Sequence, residues 1–174
     1  MTISKIVSGG QTGVDQGALQ ACQWIDFPYG GWVPNGRLTE VGPLPDTFKG
    51  MQEHGSADYL KRTEANVVDS DATLIMTSGK PTGGSKRTVE FAKKHKRLWH
   101  HLDMGKPMDA EVQETVAWLR ESCPDNCGLN VAGTRESKKP GVQKAALVYV
   151  LDVIGKDKGT VIYPPPRFKK GNMP

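Results

Sequence analysis

The chain is poor in the residues that would mark a secreted, membrane-spanning or metal-stapled protein. Only three of its 174 residues are cysteine, an odd number that argues against a disulfide framework and for reduced thiols. Cys123 and Cys127 stand four apart with no second pair or histidine cluster near them, which is short of a zinc motif. No apolar run approaches the roughly 18 residues of a membrane span. The opening Met1-Thr2-Ile3-Ser4-Lys5 lacks the apolar core of a signal peptide, so a cytoplasmic address and no membrane partner are expected. Aromatic residues make up 7% of the chain and are not interleaved with basic ones, which leaves no platform for stacking bases. Fixed-period repeats, low-complexity tracts and heptads are missing too.

What is there is an ordinary globular composition, 37% hydrophobic and 24% charged, long enough for a sizeable core. No seam divides it, so residues 1–160 are expected to form a single nucleotide- or cofactor-binding domain, followed by a proline-rich basic tail over 161–174. The net charge of +4 owes three of its units to Arg167, Lys169 and Lys170 in that tail. The body is nearly neutral, and no specific nucleic-acid partner is expected.

Short apolar runs alternate with amphipathic stretches. Strands are expected over residues 3–7, 29–33, 72–77, 97–102 and 129–132, and helices over 14–25, 59–68, 83–95, 109–121 and 142–154. The run at 72–77 is continuous, as in a strand covered on both faces. His100 and His101, adjacent in a strand, should face opposite sides and serve structure or surface. Residues 34–58, rich in proline and glycine, are too long for a simple connection and read as a ligand-covering loop. Strand then helix, repeated about five times, predicts an α/β fold: a three-layer, Rossmann-like, doubly wound and mostly parallel sheet. The loops after Val7, Thr77 and Ala132 should then gather at one edge, where such sheets place their ligands.

Those loops are rich in glycine, which lets backbone N–H groups approach an anion, and each runs into a helix whose first amides are unpaired. The first, Gly9-Gly10-Gln11-Thr12-Gly13, is neither a G-x-G-x-x-G fingerprint nor a Walker A loop. Thr12 and Asp15 either form a capping box or touch the ligand, Asp15 through a ribose hydroxyl, a base or a metal ion. The second loop is the strongest signal: Gly79, then Gly83-Gly84-Ser85 at a helix start, with Lys80, Lys86 and Arg87 as cations and Thr88 and Glu90 just inside the helix. The third, from Gly133 through Arg135 to Lys139, reads as a solvated charge run. Arg37, after the Asn35-Gly36 turn, is a further candidate at the same edge.

The stretch from Gly9 to Leu19, the run Gly30-Gly31-Trp32-Val33-Pro34-Asn35-Gly36-Arg37 and the loop from Gly79 to Thr88 together resemble the molybdenum-cofactor carrier family, over most of the chain from Ile6 to about Leu151. That family looks like a branch of the Rossmann-like superfamily of lysine-decarboxylase-like and LONELY GUY proteins. The resemblance implies a homo-oligomeric protein that binds a nucleotide or pterin phosphate and holds molybdenum cofactor without transforming it. Its ligand would sit on Gly9 to Gly13, Asp15, Arg37, Gly79 and Gly83 to Thr88. Hydrolytic relatives use a glycine pair, a third glycine followed by threonine, then a glutamate. Here Glu90 keeps the register, but Lys86 replaces the third glycine and Thr88 comes one place late. A nucleoside-monophosphate phosphoribohydrolase using Glu90, Arg87 and Asp15 is therefore the alternative to a non-catalytic carrier.

Overall fold

A computed structural model describes residues 2–166; Arg167, Lys169 and Lys170 of the basic tail lie outside the described residues. The strands are β1 (Ile3–Val7), β2 (Tyr29–Val33), β3 (Leu38–Thr39), β4 (Gly42–Pro43), β5 (Met51–Glu53), β6 (Ala72–Thr77), β7 (Leu98–Asp103) and β8 (Cys127–Gly133). The helices are α1 (Val14–Trp24), α2 (Tyr59–Val68), α3 (Gly83–Lys94), α4 (Met108–Ser122) and α5 (Val142–Lys158). Each expected element is present, with ends moved by a few residues at most.

Six strands form one sheet in the order β5-β2-β1-β8-β6-β7, every neighbouring pair parallel. The last strand in chain order therefore lies in the middle, pairing Val7 with Asn130 on one side and Met76 with Gly133 on the other. Helices α1, α5 and α4 pack side by side over one face, and α2 and α3 pack together over the other. This is the three-layer Rossmann-like α/β architecture. All six positions of β6 are buried, as its uninterrupted apolar run demands. His100 stacks on Trp118 at 5.2 Å, while His101 Nε2 lies 2.7 Å from Thr77 Oγ1.

Residues 34–58 do not form a free cover. Leu44 and Phe48 bury themselves against Leu19 and Val33 in a small core of their own. Arg37 donates to the carbonyls of Leu44, Pro45 and Phe48 at 3.1–3.2 Å, tying the segment down. Two apolar anchors and one multiply bonded guanidinium outweigh the flexibility that the prolines and glycines suggest. The segment also supplies the edge strand β5, too short and too polar to show a strand period.

At the other end of the molecule, buried Asp157 near the end of α5 accepts the N–H groups of Thr2 and Ile3 at 2.9 and 3.0 Å, fastening the start of β1. Asp157→Ala orphans both amides. It should cost about 3 kcal/mol and lower Tm by about 6–12 °C in a chain of this size. Asp157→Asn, which keeps one acceptor, should lose about half of that. A thermal melt of Asp157→Ala coinciding with the parent would show that the clamp contributes nothing.

Candidate functional site

With β8 between β1 and β6, the carboxyl ends of these three strands are adjacent, and the loops that follow them meet. The chain leaves β1 for β2 on one side and β6 for β7 on the other, so this edge is the sheet's switch point. Two cavities open there, of about 300 Å³ and about 210 Å³. Gly84, Ser85, Gly133 and Arg135 line both and form their common wall.

The first loop is bonded inward. Gln11 N–H donates to Asp15 Oδ2 (3.2 Å), Thr12 N–H to the Gln11 side chain (3.0 Å), Gly13 N–H to the Gln143 side chain (3.1 Å) and Val14 N–H to Thr134 O (3.0 Å). Four successive amides are thus used within the protein. Gly13, at φ 86°, sits so close to the third loop that a Cβ would stand 2.3 Å from Thr134 O. The capping box does not form either: Gly13 is the N-cap of α1, and Thr12 Oγ1 donates to Glu40 instead. Glu40, from the β3–β4 hairpin, also accepts from Ser137 N–H and Oγ (3.2 and 2.6 Å) and so ties the first loop to the third. Those hydrogen bonds, with Arg135 nearby, hold its carboxyl below the usual carboxylate range despite partial burial.

The second loop is open. Thr82 caps α3 with no side-chain bond, and the N–H groups of Gly83 and Gly84 have no acceptor among the described residues. A Cβ at Gly84 would meet nothing within 4 Å, and one at Gly83 only Lys138 Nζ at 3.3 Å. Ser85, 8% exposed, donates its N–H to Thr82 O at 3.1 Å, while its hydroxyl has no partner among the described residues; the residue lines both cavities. Two free amides and a free hydroxyl at the positive end of a helix form an anion cradle.

The far wall of the larger cavity comes from α2, which turns Tyr59, Arg62, Thr63 and Asn66 toward it. Arg62 is 7% exposed and Asp15 5%; Arg62 Nη1 lies 3.2 Å from Asp15 Oδ2. The guanidinium lies over Gly9, where a Cβ would fall 1.3 Å from Nη1, so Gly9 makes room for an arginine. Burial raises the Asp15 carboxyl above its ordinary value, against the opposing pull of Arg62 and of the Gln11 amide. Arg62 Nε and Gln11 Nε2 are buried donors without partners among the described residues. Tyr59 carries the guanidiniums of Arg135 and Arg62 at 5.3 and 5.9 Å from its ring centre.

Of the residues singled out from the sequence, Gly9, Gln11, Asp15, Gly83, Gly84, Ser85, Arg87 and Thr88 line the cavities. Gly10, Thr12, Gly13, Arg37, Gly79 and Lys86 do not: the first three pack or bond within the loop knot, and Arg37 holds the 34–48 segment. Gly79 N–H donates to Asp103 at 2.9 Å, and Lys86 is exposed. Glu90 also lies outside, half-exposed and paired with Arg87 at 2.8 Å. The third loop is exposed from Ser137 to Pro140, as a solvated charge run would be, yet Arg135 lines both cavities and Lys138 and Lys139 line the smaller. Sequence reading missed α2 and Glu40. Positions 59, 62, 63 and 66 follow the i, i+3, i+4, i+7 pattern, a polar stripe that a search for apolar periodicity passes over. A single glutamate in an irregular segment carries no such signal.

Parallel sheet, switch point and open glycine helix start define a Rossmann-like protein with two adjoining cavities at its carboxyl edge. Residues 6–154 match the circularly permutated YpsA SLOG family, and the chain belongs to it. A solved structure from Syntrophus aciditrophicus, described as a "putative molybdenum carrier protein", is 41% identical with a TM-score of 0.81, covering 87% of this chain and 94% of its own. Among curated proteins none matches the chain.

Proposed function

We propose that this protein binds and carries a phosphate-bearing small ligand, molybdenum cofactor or a nucleotide, without transforming it. The observation that carries the reading is the start of α3 where the two cavities meet: the Gly83 and Gly84 amides and the Ser85 hydroxyl have no acceptor among the described residues and lie beside Arg135. Phosphate there would complete three donors at a helix N-terminus and meet a guanidinium suited to bidentate contact. The organic half would lie in the larger cavity against Tyr59, with Asp15 and Gln11 at its edge. The carrier description of the Syntrophus relative agrees with this choice.

A phosphoribohydrolase needs a carboxylate within reach of the attacking water. Glu90 is outside the cavity and bonded to Arg87, and the inner oxygen of Asp15 is engaged by Arg62 and Gln11. Neither arrangement favours hydrolysis. Native mass spectrometry of the protein as isolated should retain a phosphate-bearing mass, and incubation with nucleoside monophosphates should release no free base. Released base that vanishes in Asp15→Asn would replace the carrier with an enzyme.

A further inference from the structure

The geometry points to a second phosphate: the ligand of this site, resting on the carrier reading above, is a diphosphate whose outer phosphate lies in the smaller cavity among Lys80, Lys138 and Lys139. The two cavities differ in chemistry. The larger one mixes three arginines with an aromatic ring, aliphatic surface, amides and one carboxylate, as suits a heterocycle and a sugar-like linker joined to a phosphate. The smaller one is lined by the three lysines, Arg135, hydroxyls and glycine backbone, with no carboxylate and no apolar side chain. A ring has nothing to stack on or bury against there.

Charge leads to the same assignment. A single phosphate on the common wall is answered by the Gly83 and Gly84 amides, the Ser85 hydroxyl and Arg135. Three lysines, all exposed, then remain about the rim of one small cavity, with no acidic partner among the described residues. Their joint positive potential draws an anion to that cavity. Lys138, which lines the smaller cavity, has its ammonium 3.3 Å from the Cβ position of Gly83, which lines the larger. The roughly 210 Å³ beyond the wall is ample for one phosphate and small for a nucleoside. The hydroxyls of Thr82 and Thr134 complete a lining made of donors.

The test compares inorganic phosphate with pyrophosphate, and adenosine and guanosine monophosphates with their diphosphates, by calorimetry on the full chain at constant ionic strength. Citrate serves as a control of comparable charge and different shape. Pyrophosphate should bind at least about tenfold more tightly than phosphate, and any nucleoside that binds should show the same gain for its diphosphate. In Lys80→Gln/Lys139→Gln that gain should disappear while monophosphate affinity stays within about twofold. Equal affinities for mono- and diphosphate, an equal loss of both in the variant, or citrate binding as well as pyrophosphate would overturn the second phosphate and leave the carrier reading standing. Failure of every phosphate to bind would overturn both.

Discussion

Gly133→Ala should leave little soluble, folded protein. A Cβ at this position would stand 2.0 Å from Met76 O and 2.9 Å from Val14 Cγ2. The clash is with backbone, which cannot rotate away, inside the β6–β8 pairing where Thr134 N–H also donates to Met76 O at 3.1 Å. The cost should reach at least about 3 kcal/mol, the upper end of ordinary overpacking. Gly84→Ala is the contrasting variant, since open space surrounds its Cβ and it stands in the first turn of a helix, where alanine is preferred. It should fold at least as well as the parent and bind phosphate about tenfold or more weakly, because the methyl group projects from the wall that both cavities share. Two denaturant titrations and one calorimetric series separate the roles. A Gly133→Ala variant with parental stability would mean that β8 does not sit between β1 and β6 in this register.

Arg62→Met should cost about 3–5 kcal/mol at neutral pH, because it leaves the buried Asp15 carboxyl without the cation it faces. Asp15→Asn/Arg62→Met, which removes both charges, should recover most of that loss. The sign with pH follows from Asp15. Its folded value is raised above the ordinary 3.8, so its protonation favours the folded state. That contribution is complete below about 3.8 and is lost as pH rises through the folded value. Removing Arg62 takes away a charge that lowers the carboxyl, so the folded value climbs further and the window widens upward. The deficit of Arg62→Met should therefore shrink from pH 8 to pH 5, measured by urea unfolding at each. A deficit unchanged across that range would show that Arg62 acts through packing alone.

Much of the architecture could be read from local pattern. The continuous run at 72–77, the amphipathic 59–68 and the glycine pair before residue 85 each report their state through neighbours a few positions away, and each lies where expected. The edge strand at Met51 escaped because three residues cannot display a period. Residues 34–58 misled for a different reason: their anchors, Leu44 and Phe48, find partners in Leu19 and Val33, whose nearness no composition of the segment reveals.

The glycine loops teach the same lesson about the site. Their sequences are alike in kind, yet Gly9 and Gly13 accommodate a guanidinium and a neighbouring backbone, while Gly83 and Gly84 keep their amides free. By itself the sequence determined that a parallel sheet would form, which segments would be strands and helices, and that glycine-rich turns would collect at one edge, because hydrophobic period and turn chemistry are short-range. Only the tertiary structure decided that β8 enters between β1 and β6, that Arg62 reaches Asp15 across forty-seven positions, and that Lys138 and Lys139 stand at the helix start, because hydrogen-bond partners and like-charge neighbours are set by proximity in space, to which distance along the chain is no guide.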